Sequence, residues 1–177
     1  MAIFLNRNYK TLAVGLGATF ISDCWTFFLN EFGVKSQFMT FLGRWIGHFP
    51  KGKFIHHTIL DTPPVTNEIV IGWMAHYGTG IAFGFLFIRM VGKKWLDDPK
   101  ITPAFLFGIL TLILPLFIFV PSIGFGNPLF HLPDSKLSLM RTLAYHAVFA
   151  LGLFLTSKLI VRFTSFIKHQ NTSENVQ

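Results

Sequence analysis

The chain alternates long apolar runs with short polar intervals, and four runs are long enough to cross a bilayer as helices: residues 11–30, 67–90, 102–123 and 137–163. A hydrocarbon layer of about 30 Å takes roughly 20 apolar residues in helical form, because unpaired backbone amides are too costly to leave in lipid. A fifth segment has a different rhythm. In "SQFMTFLGRWIGHF", residues 36–49, apolar Phe38, Phe41, Leu42, Trp45, Ile46 and Phe49 recur at i, i+3, i+4, i+7, i+8 and i+11. Thr40, Arg44 and His48 follow one another at i+4 on a different face. That spacing predicts an amphipathic helix too short to span and suited to the interface. In the third run Thr102 is placed as N-cap and Pro103 as the first helical residue, while Pro115 and Pro121 predict a kink or an early end.

Composition agrees with this pattern. The 177 residues are 51% hydrophobic and only 13% charged, where a soluble domain carries roughly 25%; mean hydropathy is +0.52. The expected architecture is one transmembrane domain over residues 1–166, an all-α four-helix bundle with one external interfacial helix, followed by a polar tail over 167–177. Cys24 is the sole cysteine, so no intrachain disulfide forms. The net charge of +7 would suggest nucleic acid in a soluble protein. Here the basic residues flank apolar runs, so the bilayer is the expected partner and nucleic acid is not. Arg7 and Lys10 precede the first run, but its length, Asp23 and the lack of an A-x-A-like site favour an uncleaved anchor over a signal peptide.

Charge bias sets the expected orientation. Nine Lys and Arg fall on the side of the termini and six on the other, the second group being Lys35, Arg44, Lys51, Lys53, Lys136 and Arg141. By the positive-inside rule both termini are cytoplasmic, and the basic, histidine-rich stretch Gly43 to Ile59, with His48, His56 and His57, lies outside.

Ionisable groups within apolar runs are the candidate chemistry, because each needs a partner or a purpose. Asp23 lies in the first run, Glu68 and His76 in the second, and Arg141 and His146 in the fourth. His76 and His146 are placed at similar depth, about 14 Å at 1.5 Å per residue. Asp23 is expected to accept from Arg141, and Arg44 to pair with Glu68 at the mouth of the bundle. His48, His56 and His57 are expected to rim that mouth and to make it more cationic on acidification. Glu68, Gly72, His76, Gly80 and Gly84 recur every four residues, a small-and-polar stripe that should face another helix. Gly80 and Gly84 also give a weak hint of a homodimer.

Three functions fit these groups. One is binding or permeation of a small solute, a proton or an anionic lipid headgroup, through a pocket formed by Asp23, Arg44, His48, His57, Glu68, His76, Tyr77, Arg141 and His146. Another is a structural or assembly subunit, in which the same groups only hold helices together and Tyr77 or another neighbour satisfies His76. The third is a redox protein in which His76 and His146 ligate haem or a metal, although no cofactor is predicted from any motif. No enzyme signature is present: "GLGATF" lacks a βαβ context, and His56 and His57 lack the i, i+4 spacing of a helical zinc pair.

The segments "GATFISDCWTFF", "GRWIGHFPKGKFIHHTI", "NEIVIGWMAHYGTGIAFGF" and "RTLAYHAVFALGL" together resemble an uncharacterised family of bacterial integral membrane proteins, catalogued as a domain of unknown function. The resemblance covers nearly the whole chain. It implies a four-span protein of the bacterial plasma membrane and supplies no activity, substrate or catalytic residue.

Overall fold

The computed structural model describes residues 6–126 and 135–174, which are mostly helical and among which no strand occurs. Helix α1 is Arg7–Glu31, α2 is Phe38–Gly47, α3 is Glu68–Val91 and α4 is Ile101–Thr111. α4 continues through a π-helical turn, Leu114–Phe119, and a last turn, Val120–Ser122; α5 is Ser135–Glu174. Four helical stretches are long and apolar enough to cross a membrane: Arg7–Glu31, Glu68–Val91, Ile101–Ser122 and Leu137–Ile167. Each extends or trims the expected run by a few residues. α5 continues as helix through Glu174, where a polar tail was expected from residue 167; residues 175–177 of that tail lie outside the described residues.

α1 packs on both α3 and α5, α4 packs on α5, and α2 packs on α3. Small residues make the central contact. A Cβ on Gly15 would meet the backbone of Gly80 and Ile81, and one on Gly84 would meet Gly15. The expected stripe on α3 therefore faces other helices, with its Gly80 and Gly84 end against α1. Those two glycines pack against Thr19 and Gly15 of α1.

The other end of the stripe receives α2. A Cβ on Gly43 would overlap the Glu68 carbonyl, one on Gly72 would overlap the Met39 carbonyl, and Gly47 abuts Val65. As the α2 number rises its α3 partner falls, so α2 runs antiparallel alongside the first turns of α3. The helix is docked into the bundle mouth at backbone contact, beginning near Trp73 and rising to Val65.

Pro103 falls at the third helical position rather than the first, since the helix starts at Ile101 with Lys100 as N-cap. All three positions belong to the first turn, whose N–H groups have no intrahelical acceptor, so proline is tolerated there. Pro115 has the expected consequence. It has no N–H to give the Thr111 carbonyl, α4 ends at Thr111, and the wider π turn follows.

Two apolar cores result. One, toward the termini, gathers Val14, Ala18, Phe87, Trp95, Phe107 and Leu153. The other, toward α2, gathers Leu42, Ile59, Phe119 and Ile123 with Trp45 beside them. The site lies between them.

Candidate functional site

α2 ends at Gly47, and the chain then turns through a short 3-10 segment, Phe49–Lys51, with Gly52 in the left-handed region at φ 69°. From there residues 53–66 fold back over the bundle as a cap. The cap's amides pair with the end of α4: His56 N donates to the Ser122 carbonyl and Ile59 N to that of Ile123, both at 2.8 Å. Ile59 is fully buried beneath them.

Arg44 fastens the cap to the helices. Its Nε donates to Glu68 Oε2 and its Nη2 to Glu68 Oε1, both at 2.9 Å. Its Nη1 donates to the carbonyls of Ile59 at 3.1 Å and Thr62 at 3.3 Å. Glu68 in turn accepts from the Val65 amide at 3.1 Å. The planar guanidinium fork suits this, since one end grips a carboxylate bidentately and the other holds two loop carbonyls.

The cap histidines differ from expectation. His48 and His56 are buried, and of the three only His57 is exposed. His48 Nε2 donates to the Pro63 carbonyl at 3.0 Å. His56 Nδ1 meets Thr62 Oγ1 at 3.0 Å, and because that hydroxyl donates to the Thr58 carbonyl, the imidazole carries its proton on Nδ1. The loop carbonyls and hydroxyls need donors out of water, and the imidazoles supply them; that is why these rings turn inward. His57 contributes its backbone, with its carbonyl lying against Gly124.

Burial pushes the His56 imidazole below its ordinary value, with Lys53 and His48 adding to the effect. His56 Nε2 is buried without an acceptor among the described residues, which opposes protonation for the same reason. Since the unfolded imidazole binds a proton more readily, the cap's stability is intact above about pH 6.5 and declines as pH falls below it. Limited proteolysis at Lys53 should therefore accelerate between pH 7 and pH 5, and His56→Gln should flatten that dependence. A cap that becomes more resistant on acidification contradicts the assignment.

Beside α2 lies a cavity of about 520 Å³ lined by α1, α2, α3, the α4 π turn and α5, a size in the ordinary range for small-molecule sites. Asp23, His76, Arg141, Tyr145 and His146 all open onto it. Asp23, only 4% exposed, sits eight residues before the end of α1, and His76 sits eight residues after the start of α3. At 1.5 Å per residue both are about 12 Å deep. His76 Nε2 donates to Asp23 Oδ1 at 3.0 Å, and the Tyr145 hydroxyl stands 3.2 Å from the same nitrogen. The rings of Phe38, Trp73, Tyr77 and Tyr145 surround His76 at centroid distances of 5.7 to 6.2 Å.

The expected Asp23–Arg141 pair does not form. Arg141 lies one turn before Tyr145 on α5, about 6 Å nearer the cap face, so Tyr145 occupies the level of Asp23 and His76. Arg141 is exposed at the cavity and has no hydrogen bond or ion pair among the described residues. His146 Nδ1 contacts Thr111 Oγ1 at 2.7 Å; that hydroxyl donates to the Gly108 carbonyl, so the proton between them belongs to the imidazole. His76 and His146 flank Tyr145, whose ring lies 6.2 Å from the first and 5.7 Å from the second. His76 uses for Asp23 and Tyr145 the nitrogen that an axial ligand would offer, and no cluster of three metal-ligating side chains occurs among the described residues.

Arg44 and Glu68 therefore belong to the cap's fastening, and Asp23, His76, Arg141 and His146 to the cavity. Tyr77 lies outside the cavity lining, with its ring 5.7 Å from that of His76. Sequence reasoning missed Tyr145, Thr111 and the tryptophans Trp45 and Trp73. For Tyr145 a signal existed, its position one turn after Arg141 and next to His146.

No curated protein and no solved structure matches the chain. Residues 12–160 match the family described as "Protein of unknown function (DUF2938)", which spans most of the chain; the protein belongs to that family.

Proposed function

We propose that this protein is a membrane binding module whose cavity takes a small amphipathic ligand, the polar end near Asp23, His76 and Arg141 and the apolar part along the aromatic wall. The carrying observation is the cavity itself: groups from α1, α3 and α5, distant in sequence, converge on one space of about 520 Å³ walled on another side by α2. Scaffolding alone accounts for the contact between His76 and Asp23 Oδ1. It does not account for Arg141, a cation in an apolar helix that opens into the cavity with no partner among the described residues. Such a cation fits an anionic ligand group. We take the cap as outer and both termini as cytoplasmic, which the charge bias supports, and a bacterial plasma membrane as the location, which the family resemblance supports; the ligand would then reach the site from the outer side.

The test is native mass spectrometry of protein purified in mild detergent. Wild type should carry a bound species at one copy per chain. Thr142→Trp, which fills the cavity, and Arg141→Ala, which removes the anchor, should each lose most of it. A wild-type protein that flies bare after gentle extraction overturns the reading.

A further inference from the structure

Apart from histidines, three charged side chains among the described residues open onto the cavity: Asp23, Lys35 and Arg141. They are sorted by depth. Of the three the carboxylate lies deepest, beside His76, Arg141 is one turn nearer the cap face, and Lys35 is exposed in the connection between α1 and α2. The site is therefore negative inside and positive at its rim.

That carboxylate is also unsatisfied. Asp23 Oδ1 has its donor in His76, but Asp23 Oδ2 is buried with no hydrogen-bond partner among the described residues. Buried carboxylate oxygens are rarely left without a donor. Two further cavity-lining side chains on the same helix have buried polar atoms without partners, Trp25 Nε1 and Asn30 Oδ1. Thr19, Asp23, Thr26 and Asn30 line the cavity at i, i+4, i+7 and i+11, so α1 presents a polar rail from floor to rim.

Charge complementarity selects the ligand class. A purely anionic ligand satisfies Arg141 and Lys35 but leaves Asp23 Oδ2 without a donor. A purely cationic one satisfies Asp23 and must pass two cations at the rim. A quaternary ammonium has no N–H to give. Resting on the amphipathic-ligand reading above, we propose that the ligand's polar end is zwitterionic: a primary ammonium donates to Asp23 Oδ2, and an anionic phosphate or carboxylate lies within about one helical turn of it, against Arg141. The rings of Phe38, Trp73 and Tyr145 line the ammonium end and favour a cation there. The same chemistry is carried by an aminophospholipid headgroup and by a free zwitterion such as phosphoethanolamine.

The experiment reconstitutes the full-length protein in nanodiscs containing equal phosphatidylethanolamine, phosphatidylcholine and phosphatidylglycerol, then identifies the tightly retained lipid by native mass spectrometry. A second arm offers phosphoethanolamine and phosphocholine to delipidated protein and measures thermal stabilisation. One charge-assisted hydrogen bond corresponds to about a tenfold preference for ethanolamine over choline. Asp23→Asn should reduce that preference to near parity, whereas Arg141→Gln should weaken both headgroups while keeping their order. Preference in the first arm alone identifies a lipid ligand, and preference in the second identifies a soluble one; either supports the proposal. Retained ligand with no preference for the primary amine refutes the zwitterion and leaves the amphipathic reading standing. Absence of any retained or stabilising ligand removes both. If Asp23→Asn does not fold, the wild-type comparison of ethanolamine with choline decides by itself.

Discussion

Gly43→Val should be among the most damaging single substitutions in this protein. Its side chain would occupy the space of the Glu68 carbonyl, and its neighbour in that contact is the backbone of Gly72. A flexible side chain could swing aside, but a helix backbone cannot, so α2 must lift away from α3. Over-packing of this kind costs about 1–3 kcal/mol, and more where the obstacle does not yield. Lifting α2 would also separate Arg44 from Glu68. Gly72→Val, which meets the Met39 carbonyl from the other side, should have the same effect. The double variant should cost less than the sum, because either change alone already opens the contact. Gly78→Ala is the internal control: nothing lies within 4 Å of its Cβ position, and the substitution should be neutral or stabilising by up to about 1 kcal/mol from helix propensity. Denaturation in detergent measures all four. A Gly43→Val protein as stable as wild type would show that α2 does not dock on α3.

Arg44→Ala should cost about 3 kcal/mol, toward the lower end for removing one partner of a buried pair. The lower end applies because the side chains are 13% and 14% exposed, and water partly compensates the orphaned carboxylate. Glu68→Ala should cost less, since Arg44 keeps its bonds to Ile59 and Thr62. Removing both should recover part of the combined loss. Arg44→Lys should not restore the wild type, as an ammonium cannot grip the carboxylate bidentately and hold two carbonyls at once. Hydrogen exchange separates local from global effects: amides of residues 56–62 should lose protection in Arg44→Ala and largely keep it in Glu68→Ala. Equal losses in both would mean that the Glu68 contact, and not the carbonyl contacts, holds the cap.

The long helices were legible because each rests on a local signal, roughly twenty apolar residues bounded by polar ones. The Arg44–Glu68 pair was legible for a similar reason: a lone cation on a short helix and a lone acid at a helix start both fall at the same bundle mouth. The partner of Asp23 was not. Arg141 and His76 are both reasonable by charge, and the choice depends on axial registry between helices, which Gly15, Gly80 and Gly84 set through backbone contacts that hydropathy does not encode. The cap histidines were misplaced for a different reason. A "GHFPKGKFIHH" segment reads as surface because it is polar and rich in glycine and proline. Whether its imidazoles face water depends on how many loop carbonyls the fold buries, and that is known only once Arg44 and the end of α4 pull the loop inward.

The docking of α2 also makes the molecule unequal in its two halves. On the side of the cap α2 is added alongside α3, so that the described residues there include five helices, against four on the side of the termini. With helices about 10 Å across, α2 adds width to the described bundle on the cap side. Such a wedge displaces unequal areas of lipid from the two leaflets, so its fit to the bilayer depends on leaflet curvature and packing. The α2–α3 contact sets the angle of that wedge, and any change that undocks α2 alters the area the protein occupies in one leaflet alone.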